Sequence, residues 1–183
     1  MRKIHALPVD TNEPTVSQLT FEALVTSGTG QRIMPTAAFV LGCALDLLAN
    51  GRPSAPVVLV AERPPSASVH TAAFVREGVP TIYLVASSLP VRAAIRAAHA
   101  GPGGGCDRSR ELIMLASVLA HEAWHLQHPG DEKGAYLQQL TTLQFLGLDL
   151  FSREANEVRR AMRAGLAAQN RSGFVAAALA EPR

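Results

Sequence analysis

The chain has 183 residues, 48% of them hydrophobic, enough for one buried core without a second module. Seventeen basic residues against fifteen acidic ones leave a net charge of +2, scattered along the chain, with no footprint for nucleic acid or an anionic membrane. No apolar run of signal-peptide length precedes Pro8 and Asp10 and none approaches membrane-spanning length, so no membrane span is predicted and a cytoplasmic location is expected.

Residues 1–13 are polar, are flanked by Pro14, and read as a flexible arm. A first helix follows, with Val16, Leu19, Ala23 and Leu24 on one face, closed by Gly28-Thr29-Gly30. That glycine pair is not a nucleotide loop, because neither a third glycine nor Gly-Lys-Ser/Thr follows it. Pro35-Thr36 opens a stronger helix in which Phe39, Val40, Cys43, Ala44, Leu47 and Leu48 recur at the helical period, up to Asn50-Gly51. Cys43 is expected as a small buried hydrophobe and Cys106 as a free surface thiol, with pairing between them left open.

Between Pro53 and Pro90 the period becomes strand-like. Residues 57–60 form a continuous apolar run, the mark of a strand buried on both faces. Residues 68–76 alternate, 77–80 turn, and 81–85 return as a second strand of a hairpin. His70, on one face of the alternating stretch, reads as a structural or surface residue. Ser88-Leu89-Pro90 starts a helix that runs to about Ala100, with His99 placed to meet the dipole at its end. The glycine-rich stretch 101–105 lacks the lysine of a phosphate cradle and reads as a linker, after which Asp107 or Ser109 caps the next helix.

That next helix carries the chemistry. Leu112, Leu115, Val118 and Leu119 make its first turns apolar, and His121-Glu122-Ala123-Trp124-His125 follows from this buried segment, where unpaired polar groups are costly. Histidines four apart place both imidazoles on one helical face, as a tetrahedral metal requires, and Glu122 can approach a water there without being a ligand. Zinc needs a third protein ligand. Pro129-Gly130 ends the helix, Asp131 caps a second one, and Glu132 in its first turn can return toward the histidines. Glu132, Tyr136, Leu140 and Leu143 are expected on one face of this second helix, toward metal and core. His128 is an alternative third ligand.

His-Glu-x-x-His followed by Asp-Glu-Lys-Gly-Ala-Tyr-Leu-Gln-Gln-Leu resembles the minigluzincins, minimal zinc metallopeptidases of the gluzincin clan, over about residues 112–147. The resemblance implies a zincin-like fold, His121, His125 and Glu132 as zinc ligands, Glu122 as general base and acid, and peptide or unfolded protein as substrate. It also implies that residues 81–85 form the edge strand on which an extended substrate pairs. Larger gluzincins carry an aspartate four residues after the glutamate ligand to support a histidine. This chain has Tyr136 there, so the support must come from elsewhere, and Tyr136 becomes the candidate oxyanion partner.

Downstream, Gly147 stops the pattern, and Ala155, Val158, Met162 and Leu166 form a stripe with Arg153, Arg159, Arg160 and Arg163 outside it. Gly173 is expected to break this helical segment, 148–183, and to act as a hinge for a terminal cover over the cleft beside 81–85. Glu154-Ala155-Asn156 is similar to a stretch of the stress-response metallopeptidases that cleave repressors, which makes Glu154 another alternative ligand. From a different class, a zinc-binding module that holds a peptide or partner without cleaving it is the alternative function, against which the intact Glu122 argues. The expected architecture is a single α+β domain, with a small mixed or antiparallel sheet packed on the His121–His125 helix.

Overall fold

The computed structural model describes residues 36–65, 67–68, 70–100 and 106–180. The expected arm at 1–13, the helix around 16–27 and the glycine linker at 101–105 lie outside the described residues. Those described form an α+β arrangement of five helices, a short 3-10 turn and a three-stranded mixed sheet.

Helix α1 (Ala37–Leu48) begins where Thr36 Oγ1 accepts the Phe39 N–H at 3.2 Å, and it ends in the 3-10 turn Ala49–Gly51. Strands β1 (Val57–Val60), β2 (Ala73–Arg76) and β3 (Val79–Val85) follow, then α2 (Leu89–Ala100). Helix α3 (Arg110–Gln127) is capped by Ser109, whose Oγ accepts the Leu112 N–H at 3.2 Å. Asp131 caps α4 (Glu132–Phe145), and Ser152 Oγ accepts the Ala155 N–H at the start of α5 (Arg153–Ala180).

Helices α1, α2 and α4 and strands β2 and β3 all pack on α3. Its Leu115, Ala116 and Leu119 have no exposed surface and share one core with Val40, Ile82, Leu84, Val91 and Leu143. Each large side chain in that set contributes about 1.5–3 kcal/mol by leaving water. His121, Glu122 and His125 follow at the C-terminal end of this well-packed helix.

The sheet order is β1-β3-β2, with β3 parallel to β1 and antiparallel to β2. The hairpin turns through Gly78, whose φ of 74° is a conformation suited to glycine. Residues 81–85 are therefore not an edge: they lie in the central strand, whose backbone is paired on both sides. The edges are β1 and β2, and it is β2 that borders α3. The run 57–60 is likewise not buried on both faces, since as an edge strand β1 leaves Val58 37% exposed. Central position and burial coincide in β3, where Ile82 and Leu84 are fully buried. On the opposite face Tyr83 stacks on its cross-strand partner Phe74, with the Arg76 guanidinium 4.8 Å from the tyrosine ring centre. His70 lies exposed in a turn before β2 rather than on a strand face.

Cys106 is not a free thiol. It is joined to Cys43, tying the segment before α3 to α1 across a sequence separation of 63 residues. Closing a loop of that length stabilises the folded state by about 4 kcal/mol in the chain-entropy account. No helix among the described residues is long and apolar enough to cross a membrane.

Helix α5 corrects a further expectation. It runs through Gly173 without a break, and it packs on α4. A continuous backbone hydrogen-bond ladder leaves no hinge at that position. With 81–85 also interior to the sheet, the hinged cover over that strand has no basis.

Candidate metal centre

His121 and His125 sit one turn apart on α3, and their Nε2 atoms face each other at 3.2 Å. The chain reverses at Gly130, with φ of 78°, and returns Glu132 to the same point. Glu132 Oε1 lies 3.5 Å from His125 Nε2, and Oε2 lies 3.9 Å from His121 Nε2. Zinc at its usual ligand distances of about 2.0–2.2 Å puts tetrahedral ligands about 3.3–3.6 Å apart. With one atom taken from each residue, the donors lie within 4.8 Å of one another, a little wider than a zinc-bound set, and they form the one such convergence found among the described residues.

The electrostatics agree with that geometry. Burial, then the neighbouring His125, lowers the His121 pKa to about 4, so at neutral pH the ring carries a free lone pair, as a ligand must. Its approach to Glu132 is accordingly not an ion pair. Glu122, 8% exposed, is pushed up to about 8, first by desolvation and then by the negative charge of Glu132. A desolvated acid beside the charge of Glu132 and a ring held neutral by burial is an unfavourable group in isolation, and a divalent cation inverts that logic. The residues present therefore fit a metal of zinc's ligand preference.

A pH effect follows for the metal-free protein. Folding raises the pKa of Glu122, so the folded state holds a proton that the unfolded state has released, and stability falls as pH rises toward 8. His121, depressed in the folded state, acts oppositely, but only below its ordinary value of 6.5. Between pH 6.5 and 8 the Glu122 effect stands alone, and metal-free protein is expected to lose up to about 2 kcal/mol. Chemical denaturation at the two pH values measures it, and Glu122→Gln should flatten the difference.

The approach of Glu132 depends on a clamp between the two helices. Asp131 accepts the Gly134 N–H at 2.9 Å through Oδ1 and the Trp124 indole N–H at 3.0 Å through Oδ2, so the α4 cap is also bonded to α3. The Trp124 ring in turn stacks on His128, 4.1 Å between centres. Gly134 is required here because a Cβ would collide with Asp131 Oδ2 and lie 2.5 Å from Trp124 Nε1. An ordinary helical Gly→Ala change stabilises by about 1 kcal/mol. Gly134→Ala is expected to reverse that sign, costing about 1–2 kcal/mol through the broken cap and lowering zinc affinity as Glu132 loses its anchor. Thermal unfolding and a zinc titration read both.

The other sequence candidates separate cleanly. Tyr136 packs edge-on to His121, 4.6 Å between ring centres, and its hydroxyl pKa is raised by burial and by Glu132 and Glu122. Gly165 of α5 also lies against that side chain, where a Cβ would approach Tyr136 Cε2 to 3.3 Å and the hydroxyl oxygen to 3.4 Å. His128 is the exposed C-cap of α3, stacked on Trp124 and outside the donor cluster. Glu154 is also outside it and pairs with Arg110 at 3.5 Å. The α4 face differs by one position from the expected stripe: Ala135, Gln139, Thr142 and Leu143 are buried, while Tyr136 and Leu140 are partly so. Trp124, Gly134 and Gln139 were not singled out from sequence, although Gln139 stands seven residues after Glu132 and shares its side of the helix.

Comparison with protein-family models, with curated proteins and with solved structures finds no match for this chain.

Proposed function

We propose that the protein is a zinc-dependent peptidase with a zincin-like site: His121, His125 and Glu132 hold the metal and Glu122 handles the proton. The observation that carries this reading is the convergence of His121, His125 and Glu132 donor atoms within 4.8 Å of one another beside a buried carboxyl group that is not among them. When bound, zinc supplies a Lewis acid that polarises a carbonyl and makes water nucleophilic near neutral pH.

The chain's own residues supply the rest. Glu122 accepts the proton that water gives up as it attacks, and delivers it to the nitrogen of the departing amine. Low exposure keeps bulk water from competing for that proton. Tyr136, its hydroxyl held protonated well into the alkaline range, is a hydrogen-bond donor beside His121 for the oxygen of the attacked carbonyl. Extended substrate would pair with β2, the sheet edge that borders α3, by main-chain hydrogen bonds. Cleavage of an unfolded protein that stops on chelation and returns with zinc tests the proposal. A protein that binds zinc stoichiometrically and cleaves nothing is instead a binding module.

A further inference from the structure

We propose that Gln139 is the positioning residue of the first histidine: its Oε1 takes the proton of His121 Nδ1 in a hydrogen bond, which presents the Nε2 lone pair to the metal. The inference rests on the metal-centre reading and goes beyond it, because no residue of the His-Glu-x-x-His pattern or of the Glu132 turn supplies this support.

Three observations converge. His121 Nδ1 is buried and has no hydrogen-bond partner within ordinary distance, a costly state for an imidazole nitrogen. Gln139 is a buried carboxamide, 6% exposed, that reaches from α4 to the turn of α3 just before His121. The orientation of that amide is set. Ser117 Oγ donates its proton to the Met114 carbonyl at 2.7 Å and is left as an acceptor, and Gln139 Nε2 donates to it at 3.4 Å. With the nitrogen committed to Ser117, the oxygen of Gln139 is the remaining acceptor.

That amide lies close enough to His121 to favour its protonated form, although no hydrogen bond to Nδ1 is formed in this structure. The helix spacing explains how Gln139 arrives there. Position four after Glu132 holds Tyr136, packed edge-on to the His121 ring, so the next residue on that side, at seven, reaches past it from one turn deeper in the core. A neutral amide in place of a carboxylate also adds no further charge beside Glu132 and the buried Glu122.

The test uses the full chain and two readouts. In metal-free protein, long-range nitrogen–proton NMR correlations of the His121 ring should show the Nδ1–H tautomer, the minor form of free histidine. Gln139→Leu, similar in size but without an acceptor, should shift the ring to Nε2–H. Zinc affinity, measured by competition with a chromophoric chelator, should fall about 10- to 100-fold in that variant. If Gln139→Leu does not fold, Ser117→Ala, which frees the amide to rotate, should cause a smaller loss in the same direction with the same tautomer shift. A wild-type ring in the Nε2–H form overturns the inference, and so does a variant whose tautomer is unchanged and whose zinc affinity stays within twofold. Wild-type protein that takes up no zinc overturns the metal reading instead, while the tautomer of metal-free protein still decides the role of Gln139.

Discussion

Glu122→Gln is expected to keep the fold and the metal and to lower peptide hydrolysis by about 100- to 10 000-fold. The two side chains have the same shape, and Glu122 is nearly buried, so the surrounding core feels no change of volume. What disappears is the one group that can take a proton from water and later give it back, because an amide oxygen is too weak a base at neutral pH. Retention of zinc is the discriminating half of the result. Glu122 lies outside the three-donor cluster, so elemental analysis should give the same content before and after substitution. Full activity in Glu122→Gln would remove it from the chemistry, and parallel loss of zinc and activity would make it a ligand.

His121→Ala and His125→Ala should each weaken zinc binding by more than the about 10- to 100-fold that outer partners contribute, because each removes one of three donors. Glu132→Gln should weaken it too, since an amide is a poorer donor than a carboxylate and does not neutralise the cation. The controls come from the discarded ligands. Glu154→Gln leaves Arg110 at an exposed position and His128→Ala removes a ring stacked on Trp124, so neither should change zinc content measurably. Zinc that follows Glu154 rather than Glu132 would overturn the assignment. Metal analysis on protein purified without chelator gives the outcome for all five variants.

The histidine pair and Glu122 were legible because their positions relative to one another are fixed within a single helix. Four residues make one turn, so periodicity alone puts His121 over His125, and the preceding leucines show that the helix is buried. The Asp131 cap, and Ser109 as one of two candidates with Asp107, were legible for the same reason: each accepts an N–H three residues ahead, a contact that needs no tertiary structure. The return of Glu132 was also foreseen, since the short span between the helices limits where the carboxylate can go.

Only the tertiary structure decided which side chains meet from different elements. Strand order was beyond local pattern, because 57–60 reads as interior and 81–85 as an edge until backbone pairing exchanges their places. The bond between Cys43 and Cys106 needed α1 and the approach to α3 to come together. So did the clamp in which Gly134 makes room for Trp124 and Asp131, and the buried line from Ser117 to Gln139 toward His121. A sequence fixes spacing along a helix through the geometry of the backbone itself. Contacts across helices depend on how the helices rotate and pack, and here that packing set α4 one position round from its expected face and brought Gln139 into the core.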